Sequence, residues 1–180
     1  NKLQGIPLLK LNGSAVYKGQ SRLNKVQILG VDESFKTISN ADFADSLKDN
    51  KVAISSNLAS RLNLTVGESF LLRVEKASLT PRNAPFVSEE SPTVAIRVLV
   101  SAILDETQLG AFNLRNSQTA PFNIFMSLSF LQERVELKHR INYALFSSEQ
   151  NPESELSKHI SLADAGLSLQ TDSEENYINL

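Results

Sequence analysis

The chain has 180 residues, 41% of them hydrophobic and 21% charged, with 18 basic against 20 acidic side chains and a formal net charge of -2. This is ordinary globular composition, which excludes a disordered tail, a collagen or a disulfide scaffold, and the missing basic excess argues against a general nucleic-acid binder. A chain of this length buries about 70% of its unfolded surface, so it folds without a disulfide or metal. The absence of cysteine removes thiol catalysis, Cys-ligated zinc and iron–sulfur clusters together.

In chain order the N-terminal part reads as β. Ile6 to Leu11 is an apolar run that ends in Asn12-Gly13, and Asn-Gly before Ser14 to Lys18 predicts a hairpin turn. Lys25 to Val31 alternates and reads as a strand, and Ala41 to Leu47 as a short helix with Phe43 and Leu47 on one face. Lys51 to Ser55 is a short buried strand, and Ser55 or Ser56 caps a helix through Leu62 with Leu58, Ala59 and Leu62 as its stripe. The turn Asn63 to Glu68 needs Gly67 for a backbone angle other residues avoid.

Ser69 to Lys76 alternates as a half-buried strand, and Ala77 to Pro92 is a proline-rich loop. Thr93 to Leu104 is the longest strand, followed by an irregular stretch, Asp105 to Phe122, that carries Leu109, Phe112, Leu114 and Phe122. Asn123 to Ser127 is a strand, Leu128 to Leu137 a helix, Arg140 to Ser147 a strand and Glu153 to about Ala163 a helix. Gly166 to Gln170 is a short strand, Thr171 to Asn176 an acidic turn, and Tyr177 to Leu180 starts a pattern. Short strands in excess over short helices make the fold α+β.

The catalytic templates fail on residues they require. His139 and His159 are twenty apart and read as surface residues, so no His-x-x-x-His metal pair exists. No glycine-rich phosphate loop and no Gly-x-Ser-x-Gly elbow occur. Glu89-Glu90 and the group Asp172, Glu174, Glu175 read as solvated carboxylates. Asn12-Gly13-Ser14 and Asn63-Leu64-Thr65 match the glycosylation sequon but are more simply turns. Asp105-Glu106, just after a long strand, supports one alternative: a carboxylate-dependent extracytoplasmic hydrolase. It would require a deep pocket and a raised carboxyl pKa. Val94 to Leu104, interrupted by Arg97, is far shorter than a membrane-spanning helix.

Three segments carry a resemblance: Val52-Ala53-Ile54-Ser55, then Asn57 to Leu64, then Val66-Gly67-Glu68-Ser69-Phe70. They resemble the MacB-like periplasmic core domain between the first two transmembrane helices of FtsX/LolE-type ABC transporter permeases. Gly110 to Leu114, Ile124 to Leu128, Phe130-Leu131-Gln132, Ile141 to Leu145 and Leu162 to Leu169 follow in a similar order. The proline-rich loop 77–92 departs from the pattern by its length. The resemblance covers roughly residues 24 to 170.

It implies a two-lobed domain: a β-rich inserted lobe, often called Sabre, at about 45–147, and part of a membrane-proximal porter-like α/β lobe at 1–44 and 148–180. It further implies a periplasmic, non-catalytic domain of an inner-membrane protein, with no cofactor and no metal. ATP is hydrolysed on a separate cytoplasmic subunit, the permease works as a dimer, and the domain holds a substrate, lipoprotein or periplasmic partner protein. Leu109, Phe112, Leu114 and Phe122 are the candidate partner-binding residues, because apolar side chains on a loop mark such sites. The start at Asn1 and the single Met126 fit an excised middle segment with membrane helices outside both ends.

Overall fold

The computed structural model describes residues 5–38, 42–75, 93–114, 118–146, 152–153, 170–171 and 178–179. The loop expected at 77–92, all but the first residue of the helix expected from Glu153 to about Ala163, and most of the acidic turn lie outside them. The fold is α+β. Its strands are β1 (Ile6–Tyr17), β2 (Ser21–Val31), β3 (Lys51–Ser55), β4 (Ser69–Glu75), β5 (Thr93–Leu104), β6 (Phe122–Ser127) and β7 (Tyr143–Leu145). Two short helices follow strands directly: α1 (Ser56–Leu62) after β3 and α2 (Leu128–Arg134) after β6. The chain divides into two compact units. One is Ile6–Leu145, and the other combines Asn1–Gly5 with Phe146–Leu180.

In the first unit the strand order is β2-β6-β3-β5-β4-β1-β7, and β2 also pairs with β1. That extra pairing closes six strands into a ring, which removes the open edges a flat sheet would leave. β7 hangs on β1 outside the ring. Two pairings are parallel, β2 with β6 and β3 with β5, and the others are antiparallel.

Alternation along the strands sorts the apolar residues onto two faces. Leu9, Ile28, Val52, Ile54, Phe70, Leu72, Val98, Ile124 and Met126 belong to the larger core, together with Leu58 and Leu62 of α1 and Leu131 of α2. Their strand neighbours Leu8, Leu29, Ala53 and Phe125 face the other way. They join a second core with Phe35 and Leu47. Each fully buried leucine or phenylalanine contributes about 1.5–3 kcal/mol. Helices of two turns persist only through such packing.

The second core explains two short 3₁₀ helices, Glu33–Ile38 and Asp42–Ser46. The second lies where an α-helix over Ala41 to Leu47 was expected. These turns lay Phe35 and Leu47 over the outer faces of β2 and β6.

The Asn12-Gly13 hairpin turn is not formed. β1 runs unbroken through both residues, and the chain reverses at Lys18 and Gly19, with φ of 50° and 70°. Gly13 serves close approach instead: a Cβ there would lie 2.1 Å from the carbonyl oxygen of Arg73 on β4. The register shifts just after Gly13. It faces Val26, Ser14 faces Asn24, and Lys25 bulges between them at φ 59°.

Gly67 does take the positive φ expected of it, at 90°, and its N–H donates to Val100 O at 2.8 Å. The helix expected to reach Leu137 ends at Arg134, because Glu136 takes φ 62°. The strand expected over Arg140 to Ser147 shrinks to Tyr143–Leu145, since the Asn142 side chain replaces backbone pairing. Its Oδ1 accepts from Lys10 N at 2.8 Å and its Nδ2 donates to Lys10 O at 2.7 Å.

The lobe boundary expected at residue 44 is crossed by the ring, because β1 and β2 pair with β4, β6 and β7. The first compact unit therefore begins at Ile6 rather than at 45. Within this unit Ile6 pairs with Leu145, so its two chain ends lie side by side. In the second unit, β8 (Gln170–Thr171) and β9 (Ile178–Asn179) form an antiparallel pair, where Tyr177 to Leu180 was expected to start an unfinished element.

Candidate functional site

The apolar loop between β5 and β6 is held by side-chain amides. β5 ends at Leu104, and Asp105 opens a single 3₁₀ turn, Glu106–Gln108. The Asp105 carboxylate accepts from Thr107 N at 2.9 Å, Thr107 Oγ1 at 2.6 Å and Gln108 N at 3.0 Å. The turn leaves through Leu109 at φ 72°.

Behind it sits Asn123, with no exposed surface, on β6. Its Nδ2 donates to Gly110 O at 3.0 Å and to Phe112 O at 2.8 Å, and its Oδ1 accepts from Gln27 Nε2 at 2.8 Å. Gln27 is its register partner on β2. The Asn123 N–H donates to Ser55 Oγ at 2.9 Å, and Ser55 Oγ donates to Asn57 Oδ1 at 2.5 Å. Asn57 Nδ2 in turn reaches the far end of the loop, at Pro121 O, 3.2 Å. Buried amides of this kind stay only where their hydrogen bonds are met, and here both ends of the loop meet them.

The four apolar candidates are brought to this framework unequally. Leu109, Phe112 and Leu114 are half-buried against the second core, whereas Phe122 packs against the first. Phe112 joins an aromatic cluster, with ring centroids 5.7 Å from Phe35 and 6.4 Å from Phe125. Phe43 completes it at 5.2 Å from Phe125. On the same unit, a cavity of about 600 Å³ opens between the 3₁₀ turns and α2, with Val31, Leu47 and Leu128 apolar and Asp32, Lys48 and Gln132 polar.

The carboxylate alternative loses its chemistry here. Hydrogen bonding by Thr107 holds Asp105 below the ordinary carboxylate range, the reverse of what a general acid needs, and the carboxylate is occupied in capping its own turn. Neither Asp105 nor Glu106 lines the cavity of about 600 Å³. His139 is exposed, and His159, Glu89-Glu90 and the acidic group at 172–175 lie outside the described residues. No group of three or more His, Asp or Glu that could hold a metal ion occurs among the described residues.

Sequence reasoning singled out the apolar loop but missed its anchors Asn123, Gln27 and Asn57. The available signal was a polar residue inside an apolar strand, Asn123 before Ile124-Phe125-Met126 and Gln27 between Val26 and Ile28.

The Val-Gly-Glu turn is tied to β1 by its glutamate. Glu68 Oε2 accepts from Thr65 N at 2.8 Å, and Oε1 accepts a short hydrogen bond from the Tyr17 hydroxyl. Lys18 Nζ stands 3.8 Å from Oε1. Tyr17, then Thr65, hold the Glu68 carboxyl below its ordinary value.

These features define an α+β domain made of a closed strand ring with a polar-anchored apolar loop. Among solved structures, the chain is similar to the periplasmic region of MacB from Actinobacillus actinomycetemcomitans. The TM-score is 0.48 at 11% sequence identity, covering 91% of this chain and 67% of that one. No family model matches the sequence. No curated protein matches it either.

Proposed function

We propose that the chain is the periplasmic domain of an FtsX/LolE-type ABC transporter permease. The strand ring Ile6–Leu145 is its inserted, Sabre-like lobe, and the second unit belongs to its porter-like lobe. In this reading the domain binds a substrate, lipoprotein or periplasmic partner protein and transmits motion driven by ATP hydrolysis on a cytoplasmic subunit. The permease works as a dimer, and the domain catalyses no reaction itself.

The observation that carries the reading is the adjacency of Ile6 and Leu145 within a unit flanked by both ends of the chain. A domain whose termini leave side by side is the geometry that insertion requires. The segment that carries the resemblance supports it too. Val52 to Phe70 folds as strand, two-turn helix, glycine turn and strand around one core. No helix among the described residues is long and apolar enough to cross a membrane. The partner surface in this reading is the part-exposed apolar side of Leu109, Phe112, Leu114 and Phe122, presented on a loop that Asn123 keeps rigid.

The test separates packing from binding in the assembled transporter. Leu114→Ser should lower transport or partner capture severalfold while leaving the melting temperature of the domain within about 2 °C. Phe112→Ala should cost about 2 kcal/mol of stability as well, because it also empties part of the aromatic cluster. Full transport by Leu114→Ser removes the partner surface. A parent gene without an apolar segment of about 20 residues on each side of this stretch removes the permease reading altogether.

A further inference from the structure

The outer face of β1, β2 and β4 gathers positive charge around the bulge at Lys25. Ser14 on β1 lies opposite Asn24 on β2 and opposite Arg73 on β4, so the three share one row across neighbouring strands. Arg22 stands two residues from Asn24, on the same face. Lys25 is the bulged residue and turns at φ 59°, a backbone region that lysine rarely adopts. Together with Glu75 these residues line a cavity of about 530 Å³.

Three cations against one carboxylate stand out in a chain whose net charge is -2. None of Arg22, Lys25 and Arg73 forms an ion pair among the described residues; Arg22 Nε is spent on Asn24 Oδ1 at 2.9 Å. At the floor of the cavity Ser14 is only 8% exposed, and its hydroxyl has no hydrogen-bond partner among the described residues. A buried hydroxyl without a partner is rare and costly, and beside unpaired guanidinium and ammonium groups it is a ready donor to an anion.

From this juxtaposition we infer that Ser14, Lys25, Arg73 and Arg22 form a binding site for a phosphate group. Two guanidinium forks and one ammonium suit a doubly charged tetrahedral oxyanion, with Arg73 engaging two of its oxygens, Lys25 supplying a point charge and Ser14 donating from below. Glu75, two residues along β4 from Arg73, also lines the cavity and disfavours a second anionic group beside the phosphate. The phosphate could belong to a soluble ligand or to a lipid headgroup.

Titration of the ¹⁵N-labelled chain with inorganic phosphate, at ionic strength held constant with chloride, tests the site. The expected result is a saturable shift of the Ser14, Asn24, Lys25 and Arg73 amides, weakened at least tenfold by Arg73→Gln. Lys25→Gly should weaken binding comparably while raising the melting temperature, because glycine accepts φ 59° without strain, so lost binding cannot be mistaken for unfolding. Sedimentation with phosphatidylglycerol or phosphatidylcholine vesicles separates the two sources. Saturation by free phosphate with no vesicle preference identifies a soluble ligand. A Lys25→Gly-sensitive preference for phosphatidylglycerol without any response to free phosphate assigns the site to a headgroup. Shifts that chloride reproduces, binding unchanged in both variants, or no saturation together with no vesicle preference overturns the inference.

Discussion

The domain uses the same local device twice, β3 running into α1 and β6 running into α2. Each strand ends in a serine, Ser55 or Ser127, and passes directly into a helix of seven residues. Each has one parallel neighbour, and the two strands pair antiparallel with each other. Both helices leave through a residue of positive φ, Asn63 at 54° and Glu136 at 62°, followed by a leucine. The leucine N–H closes the last turn in each case, Leu64 to Ala59 O and Leu137 to Gln132 O, both at 2.9 Å.

The serines nevertheless do different work. Ser127 Oγ accepts from Phe130 N at 3.4 Å and caps α2. Ser55 makes no such bond; it accepts from Asn123 N and donates to Asn57. A serine before an apolar helical stripe is thus a local signal whose use is set by what the fold brings to it. Here the buried end of the 105–122 loop arrives at one serine and not at the other.

The sharpest way to break this difference is to remove the group that creates it. Asn123→Leu keeps the side-chain shape but leaves Gly110 O without its donor, and Phe112 O and the Gln27 amide keep only their 3.2 Å bond to each other. An unmet buried group costs about 1–3 kcal/mol, and with the other bonds weakened a loss of about 2–3 kcal/mol in urea unfolding is expected. Hydrogen exchange should quicken through the loop and not in α2. A loss below about 1 kcal/mol would mean that the loop is fixed by its apolar contacts alone.

The two serines give a smaller and more direct comparison. Ser55→Ala strands the buried Asn123 N–H and removes one of the two donors to Asn57 Oδ1, for an expected loss of about 2 kcal/mol. Ser127→Ala removes only a long capping bond at a partly exposed position, for about 0.5–1 kcal/mol. Equal losses in paired melts would show that Ser55 acts as an ordinary cap.

What the sequence made legible follows the same division. Thr93 to Leu104 forms a strand with the bounds its alternation implies, because period-two patterning reports burial directly, and Lys51 to Ser55, read as a short buried strand, is buried from Val52 onward. Leu58, Ala59 and Leu62 form the buried stripe of α1 for a similar reason. Asn12-Gly13 misled because a glycine wanted for close approach to Arg73 O looks the same in one dimension as a glycine wanted for a turn. The α2 end was overestimated because Glu136 in a left-handed conformation carries no glycine or asparagine signal. At the candidate site the apolar residues of the loop were visible and its anchors were not. Gln27 and Asn123 are 96 positions apart in sequence, and their pairing is a property of the β2–β6 register.

The smallest expected effect concerns how the two strand–helix devices are tied beyond their helices, and it depends on pH. After α2 the tie is neutral: Gln132 Nε2 donates to Arg140 O at 2.8 Å. After α1 it is ionic in part, because Glu68 accepts from Tyr17 and Thr65 as a carboxylate. These bonds, that of Tyr17 foremost, hold its folded pKa below the ordinary value of 4.5. A carboxylate lowered on folding adds stability that is fully present above its unfolded pKa and is lost as pH falls through the folded one. The Glu68 contribution should therefore be complete near neutrality and begin to fade below about pH 4.5. Asp105, lowered by its own hydrogen bonds, that of Thr107 foremost, fades in the same direction, so the acid limb of the wild type alone cannot isolate Glu68. The difference between wild type and Glu68→Gln can: it should be greatest near pH 7 and shrink toward zero in acid. Gln132→Ala should instead give a difference that stays level over the same range. Level differences for both variants would mean that the Glu68 tie, like that of Gln132, does not depend on charge.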